Sequence, residues 1–234
     1  MLLDPRNTGN DAITVPSAPA PLLPAGSVSP YVDVLMLVTP QLLAIDPQVP
    51  QLNIYVGILN NAFQVNSVNK TVRVVGVRTV AANIDGMNAS DAILKMAFNG
   101  DGVMDEIHAE RDLLGADLVA LFANNTGGAS GAAIILLAID GYSETSGFSI
   151  TEYSRPTAPF YAPQIFAHEL GHNFGAGHMY PNPSTVPCYG IFPYSCGHRL
   201  ANLPGPGTSA ARTIMTAPSF CEPGGSNLEV QHHQ

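Results

Sequence analysis

The segment Ala167-His168-Glu169-Leu170-Gly171-His172-Asn173-Phe174-Gly175-Ala176-Gly177-His178 constrains the fold more than any other part of the chain. A helix over residues 160–174 puts His168 and His172 one turn apart, so both imidazoles leave the same face and reach one cation. Glu169, one position along, turns towards the open side of that cation. There a carboxylate takes a proton from bound water instead of serving as a ligand. Gly175 allows a backbone turn that most residues resist, which brings His178 round as a third ligand. Three neutral imidazoles with one exchangeable water form the arrangement of a catalytic zinc site. The competing account, a buried helix with incidental histidines, needs a separate hydrogen-bond partner for each ring.

This stretch is the H-E-x-x-H-x-x-G-x-x-H signature, and on it the chain resembles the metzincin metallopeptidases. Met215, in Arg212-Thr213-Ile214-Met215-Thr216, follows His178 by 37 residues and resembles the Met-turn that runs beneath the three histidines of metzincins. The resemblance makes Met215 an apolar floor under the metal, a thioether that packs without ligating; alone, one Met in such a run reads as core. Within the superfamily the chain is similar to bacterial peptidyl-Asp metallopeptidases and neighbouring reprolysin-like enzymes. Val32 to Pro40, Asp105 to Leu121, and Ala167 to His178 followed by Arg212 to Met215 carry that likeness. Two positions depart from it. Met179 stands where reprolysin-like enzymes usually have Asp after the third histidine, and Ala217 where many relatives have Tyr. Neither departure removes a ligand or the base.

The chain has 234 residues, enough for one sizeable domain, and its hydrophobic fraction of 46% can build a core. Eighteen acids against nine bases give a formal charge of −9, which argues against nucleic acid or an anionic membrane as partner. The longest apolar run, Ala132 to Ile139, is far too short to span a bilayer. Met1-Leu2-Leu3-Asp4-Pro5-Arg6 has neither the basic start nor the apolar stretch of a signal peptide, while the acidic, charge-poor composition fits a secreted enzyme. Of Cys188, Cys196 and Cys221, one disulfide plus one thiol is the simplest reading. All three pairings are open, and Cys188 with Cys196 is favoured because it closes a short loop.

Along the chain, Pro5, Pro16, Pro19, Pro21, Pro24 and Pro30 make residues 1–30 a linker or propeptide remnant, with folding expected to begin near Tyr31. Tyr31 to Thr39 reads as a central strand ended by Pro40, and Leu52, Tyr55, Val56, Leu59 and Phe63 as one covering helix. Val68 to Val80 reads as a strand. Ser90 to Phe98 and Val103 to Leu114 read as two helices broken at Asn99-Gly100. Ala116 to Phe122, Ala132 to Ile139 and Phe148 to Tyr153 complete the strands. Asn99 to Asp105 is read as a turn capping the next helix, because Val103 occupies a carboxylate position of a calcium loop; no motif supports calcium.

That order resembles an α/β (α+β) metzincin catalytic domain: a twisted five-stranded mixed sheet with helices, a zinc cleft and a small irregular C-terminal subdomain. The resemblance places an upper subdomain at 31–178, a lower one at 179–234, and an edge strand in Ala132 to Ile139 to which an extended substrate adds. The expected activity is zinc-dependent endopeptidase hydrolysis of protein or peptide substrates, with Glu169 as general base. The alternative is a zinc-binding adhesion protein with little or no turnover, against which Glu169 counts. A preference for Asp needs a basic group in the cleft. Arg155, Arg199 and Arg212 are the only Lys or Arg between residues 140 and 234. Of the other histidines, His108 is read as a helix-surface residue and His198 as lining the cleft or capping a loop.

Overall fold

The Val- and Leu-rich runs become the middle of a sheet. In the computed structural model, residues 2–3, 12–14, 29–46, 53–138, 144–153, 161–178, 189–200 and 211–216 are described. The elements in chain order are β1 (Leu2–Leu3), β2 (Ala12–Thr14), β3 (Tyr31–Val38), α1 (Pro40–Ile45), α2 (Asn53–Val65) and β4 (Thr71–Thr79). They continue with α3 (Ala89–Ala97), α4 (Glu106–Leu114), β5 (Leu118–Ala123), β6 (Gly131–Ile135) and β7 (Phe148–Glu152). The zinc-motif helix α5 (Tyr161–Asn173) and the short strands β8 (Arg199–Leu200) and β9 (Ala211–Arg212) follow.

Strands run β4-β3-β5-β7-β6 across the main sheet, parallel except for β6, which is antiparallel to β7. This is the mixed five-stranded sheet expected from the strand pattern. Both faces of its centre are covered, which is why β3 and β5 are almost continuously apolar. Leu35, Leu37, Val119 and Leu121 pack towards Ile93 and Met96 of α3 and Ile107 of α4. Val34, Met36, Val38, Ala120 and Phe122 pack towards Tyr55 and Leu59 of α2 and Phe166 and Leu170 of α5.

An aromatic cluster joins the zinc helix to this second face. Phe166 stacks on Phe122 with centroids 5.6 Å apart, and the Tyr55 ring meets both edge-on at 5.0 and 6.0 Å. Burying Phe166 and Leu170 contributes roughly 1.5–3 kcal/mol each. Burial first, then Tyr153 and Asp46, pushes the Tyr55 phenol above its ordinary range, so the ring stays a neutral packing group.

Several expectations are revised. Pro40 ends β3 but also starts α1: Thr39 caps that helix, its Oγ1 accepting from Leu42 N at 3.2 Å, and Pro40 supplies the preset first-turn φ. β1 and β2 lie before Tyr31, inside the segment read as linker. Ala12 to Thr14 is a proline-free interval, so its backbone donors remain able to pair. It pairs parallel to β6, Ala12 opposite Ala133 through Thr14 opposite Ile135. β6 therefore lies between β7 and β2, paired on both sides at Ala133, instead of forming the free edge. It also stops at Ile135, short of the expected Ile139, because Leu136 N leaves the ladder to donate to His172 O at 3.1 Å. His108 is half-buried, its ring 5.5 Å from that of Phe148, and is not a plain surface residue.

The Asn99–Asp105 loop spends its carboxylates on its own backbone. Asp105 accepts from Gly100 N and Gly102 N at 2.9 and 3.0 Å. Asp101 accepts from Lys95 Nζ at 2.8 Å and Val103 N at 2.9 Å, contacts that hold its carboxyl below the usual range, Lys95 foremost. A turn leading into α4 results, but it does not cap that helix: Asp105, at the N-cap position, makes no side-chain cap bond because its carboxylate is taken by Gly100 N and Gly102 N. Among the described residues no helix is long and apolar enough to cross a membrane.

Candidate metal centre

Helix α5 carries His168 and His172 one turn apart on a helix whose other side is anchored by Phe166, Ala167 and Leu170 in the core. The helix ends at Asn173, and the turn after it is made at Gly175, whose φ of +86° lies in the left-handed region. Space demands glycine here too: a Cβ would lie 2.7 Å from Ile191 Cβ and 3.0 Å from Leu136 O. Beyond the turn, Gly177 N donates to Ser195 O at 2.7 Å and Gly197 N to Gly177 O at 3.0 Å. This clasp holds the backbone that presents His178.

The three rings converge. His178 Nε2 lies 2.9 Å from His168 Nε2 and 3.1 Å from His172 Nε2, and the three candidate ligand atoms lie within 4.8 Å of one another. On the far sides, His168 Nδ1 donates to Ile214 O and His172 Nδ1 to Ala176 O, both at 2.7 Å. A carbonyl only accepts, so each of these Nδ1 atoms carries a proton, which leaves Nε2 of both rings as the atom that can bind a cation. The Nε2 atoms of His168 and His172 converge on that of His178, and one cation shared by the three nitrogens can engage them together. Zinc with Zn–N bonds of about 2.0–2.1 Å needs tetrahedral edges of roughly 3.3 Å, close to the spacing here. Orienting carbonyls behind metal-binding imidazoles are the usual outer support. The donor set, its tautomers and its spacing fit zinc.

Glu169 is 1% exposed. Its carboxylate runs against the start of β6: a Cβ on Gly131 would lie 2.5 Å from Glu169 Oε1 and 2.9 Å from its Cδ. Met215 is buried, and its sulfur packs on α5 at Gly171, where a Cβ would collide with it. The preceding carbonyl, Ile214 O, is the one that holds His168. The Met-bearing turn thus packs on α5 at Gly171 and supports the His168 ring. Asn173, between the second and third histidines, donates from Nδ2 to Ile134 O, Ser146 O and Phe148 O at 2.9–3.0 Å, joining the helix to β6 and β7.

The structure therefore brings together His168, Glu169, His172, His178 and Met215. Sequence reasoning missed Gly131, Gly171 and Asn173. A glycine inside a helix was the available signal for Gly171, since that residue weakens a helix unless packing requires it. Gly131 and Asn173 act through contacts with residues 25 or more positions away, which periodicity does not report. Of the basic candidates, Arg199 and Arg212 are Cα partners in the β8–β9 pair. Arg155, Cys188 and Cys221 lie outside the described residues. His198 is exposed, and its backbone does the capping: His198 N donates to Thr213 Oγ1 at 2.8 Å and His198 O accepts from Thr216 Oγ1 at 3.1 Å.

Comparison with known proteins gives a consistent set of likenesses. The family model described as metallo-peptidase family M12B, reprolysin-like, matches residues 49–179. The chain is similar to proteins named peptidyl-Asp metalloendopeptidase from two strains of Stenotrophomonas maltophilia. It is 31% identical over 160 residues to that of strain R551-3 and 30% identical over 159 residues to that of strain K279a. Each alignment covers 67% of this chain and 34% of the relative, so the chain spans about a third of the relatives' length. A solved structure titled as a chaperone-substrate complex aligns with a TM-score of 0.57 at 21% identity, over 81% of this chain and 28% of that one. This last likeness is one of fold.

Proposed function

The chain belongs to the reprolysin-like M12B metallopeptidase family, and on that premise we propose that it is a zinc-dependent endopeptidase acting on protein or peptide substrates. The observation that carries the reading is the inward convergence of three imidazole nitrogens beside a buried carboxylate. His168, His172 and His178 would hold zinc, which when bound would supply Lewis-acid chemistry to the scissile carbonyl and the attacking water. Glu169 accepts the proton of the attacking water and passes it to the departing amine nitrogen, so the carboxylate is restored at the end of each cycle. Gly131 gives that carboxylate its place beside β6. Ile214 O and Ala176 O keep the two helix imidazoles in the ligating tautomer.

Preference for acidic sites is part of the same proposal, supported by the names of the Stenotrophomonas relatives. So is secretion, which the acidic, charge-poor composition supports, with a Cys188–Cys196 disulfide as part of the proposal. A zinc-binding adhesion protein without turnover would have no use for a buried carboxylate beside the rings. Glu169→Gln tests the assignment. The variant is expected to keep one zinc per chain and its fold while casein hydrolysis falls about 10²–10⁴-fold. Turnover within a few-fold of the parent would remove Glu169 from the mechanism.

A further inference from the structure

Glu152 ends β7 with its backbone and its carboxylate both bonded to one loop, the arc over residues 126–130 that leads into β6. Its N donates to Ser130 O at 2.8 Å. Its Oε2 accepts from Thr126 N at 3.2 Å and lies 2.8 Å from Thr126 Oγ1. One residue thus ties both ends of the arc. Thr126 is fully buried, and its hydroxyl also lies against Ala129 O, inside the arc. Between the tied ends stand Gly127 and Gly128, with φ of +68° and +118°. Glycine enters that region at little cost, so such an arc takes many paths unless its ends are fixed.

The arc delivers the chain to the base. Gly131 follows it directly and is the Cα partner of Thr151 in the β6–β7 ladder. Its backbone walls the slot that holds the Glu169 side chain: a Cβ there would lie 2.5 Å from Oε1 and 2.9 Å from both Cδ and Cγ. A contact this close passes on any displacement, because a close-packed interior has no slack to absorb it. The front of the loop is pinned separately. Asn124 N donates to Asp85 Oδ1 and Gly86 N to Asn125 O, both at 2.9 Å, and Ala89 N to Thr126 O at 3.0 Å. Those bonds fix where the loop leaves β5, while Glu152 ties its return to β6.

We infer that Glu152, acting with Thr126, is a positioning residue for hydrolysis: it fixes the arc that sets Gly131, and through Gly131 the place of the Glu169 carboxylate. The inference rests on the endopeptidase reading above and deepens it by naming residues outside the metal motif that set the base. A carboxylate suits the task, since charge-assisted hydrogen bonds are about twice as strong as neutral ones.

The test uses the full chain loaded with zinc and quenched fluorescent peptides of casein sequence. Glu152→Ala is expected to lower kcat by about 10–10²-fold, with KM within a few-fold of the parent and one zinc per chain. Glu152→Gln keeps an acceptor oxygen for Thr126 and is expected to stay within about threefold of the parent. Amide hydrogen exchange at Thr126, read without substrate, is expected to quicken at least about tenfold in the Ala form and not in the Gln form. In a Glu169→Gln background, Glu152→Ala is expected to cost no more than about twofold further, because the base it positions is gone. Thr126→Val replaces Glu152→Ala if that variant fails to fold, with kcat expected to fall about tenfold. A parental kcat or parental Thr126 exchange in the Ala form, a Gln form as impaired as the Ala form, or losses that multiply in the Glu169→Gln background would overturn the inference and leave the endopeptidase reading standing. A zinc-loaded parent that cleaves no peptide overturns the endopeptidase reading, and the inference with it.

Discussion

At the scale of single residues, the centre depends on atoms that are missing as much as on those present. Glu169 and Met215 occupy the space that side chains at Gly131 and Gly171 would fill. Gly131→Ala places a methyl group 2.5 Å from Glu169 Oε1, so the carboxylate must shift, and a misplacement near 1 Å costs about 10²-fold in rate. The expected outcome is a kcat lowered by about that factor with KM and zinc content near parental values, because the ligands and the binding surface are untouched. Steady-state kinetics with zinc analysis checks it; an unchanged kcat would mean that Gly131 does not position Glu169. His168, Glu169, His172 and His178 were legible in the sequence because helical periodicity alone brings the first three together and one glycine returns the fourth. The ring tautomers were not legible, since Ile214 O lies 46 positions from His168.

At the scale of elements, the central question is how α5 is held against the strand beside the base. Asn173 does this with one side-chain amide shared among carbonyls of Ile134, Ser146 and Phe148, while the helix carbonyl of His172 takes Leu136 N. Asn173→Ala leaves three buried acceptors without that donor, at about 2–3 kcal/mol, which corresponds to a fall in Tm of roughly 5–10 °C for a chain of this size. Thermal unfolding of the zinc-loaded protein measures it, and a Tm within about 1 °C of the parent would show that the three carbonyls find other donors. The existence and type of the long elements were legible: β3, β4, β5, β7, α2, α3, α4 and α5 all arise from runs with clear period or buried apolar character. Three features were not. α1 begins at the proline that also ends β3, so one residue carries two signals. β6 is shortened by a hydrogen bond to α5, and its outer side is taken by Ala12–Thr14, both matters of tertiary contact.

At the scale of the whole molecule, an acidic chain of formal charge −9 carries one cluster of three converging imidazoles among the described residues. The sheet fixes α5 through the Tyr55, Phe122 and Phe166 rings, and the Met215 turn reaches the centre from the other end of the chain through Ile214 O. Metal binding should therefore couple to folding, since the ligands come from a helix, a following turn and a support sequence-distant from both. The most direct measurement is zinc stoichiometry together with casein hydrolysis, before and after chelation and again after zinc return. The account predicts one zinc per chain, hydrolysis lost on chelation and restored by zinc, and a lower Tm for the stripped protein. A chain that binds no zinc, or one that cleaves equally well after the metal is removed, would contradict it.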